Sequence, residues 1–520
     1  MTGSQPAQPT VPVPSATDEL GVAEGWVVTK LSTVCTINPP RPPADLFPPD
    51  TPVTFVPMPA VDAGLGAIVS PSVRPFAEAR RGYTAFRTDD VIMAKITPCM
   101  ENGKAAIARN LENGLGFGST EFHVLRSSGA VLPEYLFHFL RQESFRKAAE
   151  AEMTGSVGQK RVPASFLEEV EIPLPPLAEQ KRIVAKVEEL LARANAARER
   201  LARVPAILKR FRQAVLAAAC SGRLTEDFRS KNDEMADDLL AVIEHERRDH
   251  QSSSRMSHGK SNGDVDPTSA VTAITWEVPE AWTWVDLSKI LHYDRTAAYG
   301  VLQPGDHIEG GVPFVRVCDI QNGTIHADEI KRIDPTIARQ YRRTKLEGGE
   351  VLVTLAGTIG RTAVVPVEMA GANVARAVTV LPLCPNVVPE YVRYALEQYE
   401  KNNELVDLAR EVARKTLNLG LLKAVKIPLA PLSEQWEIVQ RVRALFDLAD
   451  TIERRVRTGT IRAERLNQAT LAKAFRGELV PTDAELARAE GRPYEPASAL
   501  LDRIRSTQTA GGSPSRGAES

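Results

Sequence analysis

The feature that most constrains this chain is a repeat. The run Ile172-Pro173-Leu174-Pro175-Pro176-Leu177-Ala178-Glu179-Gln180 returns as Ile427-Pro428-Leu429-Ala430-Pro431-Leu432-Ser433-Glu434-Gln435. The offset holds without insertion to the far end, where Gln213-Ala214, Gly222 and Leu224 match Gln468-Ala469, Gly477 and Leu479. A large segment unlike the other precedes each copy. A duplicated block behind two unlike segments implies a pseudo-symmetric, two-armed chain, and repeats are read first because they fix architecture.

The repeated block reads as helix. In the first copy apolar or small residues fall at Ile183, Val187, Leu190, Ala194, Ala197, Leu201, Val204, Leu208, Phe211 and Val215. That alternation of four and three is a heptad seam. The second copy repeats it from Ile438 to Thr470, weakened at Gly459 and Thr470. Prolines lead in, Glu179 and Glu434 suit a first turn, and Gly222 and Gly477 suit C-terminal stops. Pro205 should kink or split the first helix. Neither helix looks self-sufficient, so one seam is expected to pack on the other.

At 520 residues the chain is too long for one core. A net charge of −2 means that any nucleic-acid contact must come from local basic patches. Five scattered cysteines without a C-x-x-C pair argue for a reducing compartment and against a disulfide framework or zinc ribbon. No apolar run approaches the roughly 20 residues of a membrane helix, and the first residues lack the pattern of a signal peptide. A cytoplasmic protein without a membrane partner is the expectation.

Both halves begin alike, with Glu24-Gly25-Trp26 resembling Glu280-Ala281-Trp282. Short Val/Ile/Thr/Phe-rich runs follow, such as 54–56, 90–94, 314–317 and 350–354, and read as strands of a mixed α/β fold. Helix starts recur at Leu132-Pro133-Glu134-Tyr135 and Val388-Pro389-Glu390-Tyr391. A further helix is expected over 233–250, a Ser/Gly-rich flexible linker over 251–268, and a matching helix over 497–504 before a disordered tail from about 506.

Catalytic signatures are missing: there is no phosphate loop, no H-E-x-x-H and no G-x-S-x-G. Asn38-Pro39-Pro40-Arg41 resembles the Asn-Pro-Pro-aromatic loop of amino-methylating DNA methyltransferases, but Arg41 stands where an aromatic should stack on the base. It reads as a Pro-rich turn. Gly114-Leu115-Gly116-Phe117-Gly118 lacks the helix and acid of a cofactor loop and reads as a turn too. Asp319, Glu329 and Lys331 have nuclease-like spacing, and His245, His250 and His258 lie near the linker; both sets read as ordinary polar surface. Basic side chains are dense between Lys181 and Arg212, at Arg339, Arg342, Arg343 and Lys345, and at Lys160 and Arg161 near Arg141, Arg146 and Lys147. They could track phosphates or form a solvated face.

Together these stretches resemble the specificity subunit of a type I restriction–modification system. The double I-P-L-x-P-L-x-E-Q motif carries the resemblance, with A-K-I-T-P-C-M-E-N-G-K at 94–104, G-S-T-E-F-H-V-L-R at 118–126 and A-G-T-I-G-R-T-A-V-V at 356–365. It implies two globular target-recognition domains joined by two long antiparallel coiled-coil helices. The implied division is a disordered tail at 1–22, the first domain at 23–176 and the first spacer helix at 177–225. A helix and linker at 226–275, the second domain at 276–431, the second spacer helix at 432–479 and a C-terminal helix and tail at 480–520 follow. It further implies that each domain reads half of a split site in double-stranded DNA. Two methyltransferase subunits would dock on the helices, and translocase–nuclease subunits would complete the assembly. S-adenosylmethionine, ATP and magnesium would belong to those partners, leaving this chain with no cofactor, metal or catalytic residue.

Loops beside strand runs present the candidate DNA contacts. They are Lys95, Thr97, Lys104, Ser119, Glu121, Lys160 and Arg161 in the first half, and Arg316, Arg342, Arg343, Thr358, Arg361 and Arg376 in the second. Two other classes stay open from the sequence: a fused or solitary DNA methyltransferase or nuclease, and a bivalent helical scaffold that does not bind DNA.

Overall fold

The computed structural model describes residues 23–156, 158–254, 276–401 and 417–510. They form two compact units. One joins the chain up to Ala202 with the part from Thr458 on; the other runs from Arg203 to Arg457.

Both units have the same mixed topology, as the sequence reading expects. In the first, one sheet has the order Cys35–Ile37, Phe122–Ser127, Val91–Ala94, Ala105–Ile107, all antiparallel. A second has the order Ser72–Pro75, Pro52–Val56, Leu115–Gly118, Thr84–Arg87, with one parallel pair in which Thr54 faces Gly116. In the second unit the corresponding sheets are Ala298–Tyr299, Val378–Leu381, Val351–Thr354, Thr362–Val364, and Lys331–Ile333, Val312–Val315, Asn373–Val374. The parallel pair recurs there, with Phe314 facing Asn373.

The central strands are buried on both faces, which is why they read as unbroken apolar runs rather than alternating ones. Along Val91–Ala94, Val91 and Met93 join the core that includes Tyr135 and Leu136 of the helix Pro133–Leu140. Ile92 points the other way, to Val56 and Phe86 of the second sheet. Val351 and Val353 join Tyr391 while Leu352 joins Val315 in the same manner. Leu115–Gly118 is a strand, not the turn expected for the glycine-rich run; only Gly114 is turn-like, at φ +70°. Gly116 is needed there because a Cβ would lie 2.1 Å from the Phe86 ring.

The repeated motif forms the start of each long helix, Leu177–Cys220 and Leu432–Phe475. Its Glu stands in the first turn, as expected, and together with the Gln forms a buried clasp. Glu179 accepts from Trp26 Nε1 at 2.7 Å and from the Asp483 backbone N–H at 2.8 Å. Glu434 accepts from Trp282 Nε1 at 2.7 Å, Thr225 Oγ1 at 2.6 Å and Arg229 Nη1 at 2.5 Å. Gln180 Oε1 takes the Leu132 N–H, and Gln435 Oε1 takes the Val388 N–H. These bonds satisfy the N–H that opens the helix following each sheet, so helix and sheet are fixed together.

Pro205 does not split its helix, which is continuous through it. One lost hydrogen bond is tolerable where packing holds the flanking turns. Gly222 and Gly477 follow the helix ends at φ +73° and +77°. The helices pack antiparallel. In the first unit Asn467 Nδ2 meets Asn195 Oδ1 at 3.4 Å and Arg198 meets Glu464 at 3.3 Å. In the second, Arg212 meets Asp450 at 2.5 Å and Glu453 at 3.0 Å. Gly459 is where the Leu201 side chain sits, 3.2 Å from the position of an added Cβ. The expected seam is corrected at Ala197 and Leu466, both exposed; Arg198 and Asn467, one residue on, face the partner helix instead. A helix of 3.6 residues per turn drifts off a strict heptad over this length.

The helix expected to stop at His250 runs Ala236–Ser254, so the start of the expected linker is helical. The C-terminal helix likewise runs Ala497–Ala510, past the expected tail boundary. The two correspond: the Ala236 N–H bonds to Ala281 O and the Ala497 N–H to Gly25 O, each beside its clasp tryptophan. The rest of the linker, the tail over 1–22 and the last ten residues lie outside the described residues.

Candidate nucleic-acid interface

The first-half candidates meet at one rim of the first unit. The connection 95–104 leaves the strand Val91–Ala94 and returns as Ala105–Ile107. The Lys95 N–H bonds to Glu121 O at 2.9 Å, the Val162 N–H to Lys95 O at 2.9 Å and the Thr97 N–H to Lys160 O at 3.0 Å. Lys104 O accepts from the Ala94 N–H, and the Ser119 N–H bonds to Val56 O at 3.2 Å. Residues up to 67 positions apart are thus bonded directly within one backbone platform.

Their side chains are differently committed. Arg161 forks onto Glu121 with Nε–Oε2 at 2.9 Å and Nη2–Oε1 at 2.8 Å. The Arg161 hydrogen bond holds the Glu121 carboxyl below its ordinary range and keeps it ionised. Lys104 Nζ donates to Met58 O at 3.1 Å and Thr97 Oγ1 to Glu101 at 3.0 Å. Lys160 is exposed, and Ser119 is half-buried. Behind the rim, His123 is buried with Nε2 2.8 Å from Val162 O, and burial pushes its pKa down. Asn38 of the Asn-Pro-Pro run lies 3.0 Å from the other His123 nitrogen and accepts the Val124 N–H at 3.1 Å. Its role here is to fix the strand edge.

The second unit uses the same connections. Thr358 and Arg361 lie between Val351–Thr354 and Thr362–Val364, the counterpart of 95–104. Arg376 follows Asn373–Val374, as Ser119 and Glu121 follow Leu115–Gly118. The Ala375 N–H bonds to Val315 O and the Leu355 N–H to Ala377 O. Arg361 Nη1 donates to Ile320 O at 3.2 Å, and Thr354 Oγ1 donates to Thr358 O at 2.5 Å. Arg316 is locked to Asp319 by three bonds, including Nη2–Oδ1 at 2.8 Å. Arg376 and Thr358 are exposed. Arg342 and Arg343 are exposed as well. Their short helix Arg342–Thr344 is anchored at the entry of the strand Asn373–Val374, by Thr344 Oγ1 on Asn373 Oδ1 at 2.7 Å, whereas Arg376 lies beyond its exit.

Hydroxyls, ammonium groups and guanidiniums on loops over a rigid sheet can donate to phosphates and base edges, while Glu121 can accept from a base amino group. The nuclease-like triplet does not assemble: Asp319 faces Arg316, and Lys331 Nζ donates to Gly305 O. His245 and His250 sit beside Asp249 and Asp294 on the surface, and His258 lies outside the described residues. Sequence reasoning missed Trp26, Trp282, Gln180 and Gln435 as clasp residues. The signal was available: Gln180 and Gln435 recur at the repeat offset of 255, and Trp26 and Trp282 stand in matching runs 256 apart.

The comparisons with known proteins point to one family. A family model described as the type I restriction modification DNA specificity domain matches residues 23–204 and 280–458. The chain is 38% identical over 367 residues to the type I restriction enzyme EcoBI specificity subunit of Escherichia coli, covering 69% of each chain. It is 26% identical over 497 residues to the EcoAI specificity subunit of the same species, covering 86% of this chain and 82% of that one. In fold it is similar to the HsdS subunit from Thermoanaerobacter tengcongensis, with a TM-score of 0.57 and 24% identity across 88% of this chain and 98% of that one. A chain from a structural study of type I R-M system assembly gives 0.59 at 23% identity, across 88% and 99%. No helix among the described residues is long and apolar enough to cross a membrane. With the family model matched in both halves, the chain belongs to the type I restriction–modification family as a DNA-recognising specificity subunit.

Proposed function

We propose that each unit reads one half of a bipartite, asymmetric site in double-stranded DNA, and that the chain performs no chemistry itself. One observation carries the reading: the same strand connections form the rim in both units, with different side chains on them. Lys95, Thr97, Lys104, Ser119 and Glu121 stand where the second unit has Thr358, Arg361 and Arg376. Similar scaffolds with unlike polar tips suit unlike half-sites, since sequence is read at base edges.

Methyl transfer from S-adenosylmethionine and ATP- and magnesium-dependent translocation and cleavage then belong to methyltransferase and translocase–nuclease subunits. Two methyltransferase subunits dock, one for each copy of the repeat. Large apolar side chains exposed on the long helices support this: Ile207, Trp436, Leu448, Ile461 and Leu466.

The test is DNA binding and methylation by the purified chain, alone and co-expressed with its methyltransferase. The complex should bind DNA with steep salt dependence and methylate one bipartite sequence, with two methyltransferase subunits per chain by mass. The chain alone should transfer no methyl group. Methylation by the chain alone, abolished by Asn38→Ala, would overturn the reading in favour of the Asn-Pro-Pro loop.

A further inference from the structure

Inside the first unit lies a cavity of about 590 Å³ that the DNA reading does not use. The hairpin turn around Gly64, the tip of the 95–104 connection at Gly103 and the helices carrying His138 and Arg146 line it, together with parts of both long helices. Its size is that of a small-molecule site.

Several buried polar atoms of the residues that line it are not matched to one another. His138 is 5% exposed, and both ring nitrogens lack a hydrogen-bond partner among the described residues. Arg146 Nε and Asn467 Oδ1 are buried without a partner as well. Buried polar atoms of this kind are rare, and each calls for a physical reason.

Charge gives that reason. Arg141 Nη2 donates to Ala63 O at 2.8 Å and Gly64 O at 3.0 Å, and Arg146 Nη1 donates to Glu101 O at 2.6 Å. These acceptors are neutral carbonyls. They orient both guanidiniums without cancelling their charge, and neither arginine pairs with a carboxylate among the described residues. Burial, and then the Arg146 charge, hold the Arg141 guanidinium below its ordinary value, with Asp62 opposing. Burial also pushes His138 down to about 4, so the ring is neutral near pH 7 and can accept or donate one hydrogen bond. The acids at the cavity, Glu188 and Glu464, are exposed, and Glu464 is already engaged by Arg198. Gly66 leaves room for Arg141, since a Cβ there would lie 2.0 Å from Arg141 Nη1.

We propose that this cavity binds a phosphate group through Arg141, Arg146 and His138. Two preoriented guanidiniums match a doubly charged oxyanion better than a singly charged carboxylate. The phosphate has two available sources. Gly103 belongs to the same connection as Lys95 and Lys104, so a backbone phosphate of bound DNA is one; a free phosphate-bearing small molecule is the other.

Titration of the full chain with inorganic pyrophosphate, without DNA, tests the site itself and is independent of the DNA reading. Saturable binding is expected by calorimetry, weakened about tenfold or more in Arg146→Gln, and unchanged in Lys104→Ala. In wild-type protein labelled at histidine, the His138 ring nitrogen signals should shift on titration, which needs no variant to fold. A short duplex then identifies the source: displacement of pyrophosphate assigns the site to the DNA backbone, and simultaneous binding assigns it to a free ligand. Absence of saturable pyrophosphate binding, or binding unaltered in Arg146→Gln with unmoved His138 signals, would overturn the proposal.

Discussion

Glu179 and Glu434 occupy the same place in the repeat and meet different partners. Glu434 faces the Arg229 guanidinium, while Glu179 has neutral donors in Trp26 Nε1 and the Asp483 N–H. Burial therefore raises the Glu179 pKa. A carboxyl raised in the folded state takes its proton more readily there than in the unfolded chain. Its ionisation costs stability as pH rises from the ordinary value to the raised one, and the cost stays constant above that. Glu179→Gln removes the charge but keeps only one of the two accepting oxygens, so its NH2 faces either Trp26 Nε1 or the Asp483 N–H and stability at pH 7 should fall by about 1–2 kcal/mol. Glu434→Gln leaves Arg229 largely buried without its counter-charge and should cost about 3 kcal/mol. Urea denaturation of both variants checks this, and equal losses would show that the clasps are equivalent. At the rims, Lys104→Ala or Arg361→Ala should weaken binding by about 1–3 kcal/mol and relax discrimination in one half-site if the side chain meets a base. Exposed Lys160 and Arg376 should instead behave as phosphate contacts, with their loss weakening all sequences alike and flattening the salt dependence. Filter binding across a salt series separates the two outcomes.

At the scale of elements, strand runs, helix starts and stop glycines were legible because each depends on local pattern. The clasps were half legible: the sequence held the repeated Trp, Glu and Gln but not which atoms meet. Pro205 shows where a local rule is outweighed. Its missing N–H weakens one turn, yet buried Leu208, Val215 and Leu216 beyond it hold the helix course. Pro205→Ala should restore that hydrogen bond and stabilise the chain by up to about 3 kcal/mol, read as a raised denaturation midpoint with an unchanged slope. A fall in stability would mean that the proline sets a bend on which the packing depends.

At the scale of the whole chain, the antiparallel register decides how the helices can be lengthened. Asn195 faces Asn467 and Arg198 faces Glu464, so a heptad inserted after Ala197 needs its match after Glu464. Such a pair adds about 10 Å at 1.5 Å per residue, or roughly three base pairs along B-DNA. If the helices set the spacing of the half-sites, mapped methylation should show the same bases in each half with a longer gap. Altered bases with an unchanged gap would sink that idea. The sequence by itself determined the duplication, the mixed α/β class, the helices and the family, because periodicity and repetition are properties of order along the chain. It also supplied the rim candidates, but as scattered polar residues. Only the tertiary structure decided that Lys95, Glu121 and Lys160 share one platform. It alone decided that Arg161 and Arg316 are held by Glu121 and Asp319, and that His138 and Arg146 face one cavity. The reason is physical: pairing across strands and burial of charge depend on which distant segments meet, and that is fixed by packing rather than by spacing along the chain.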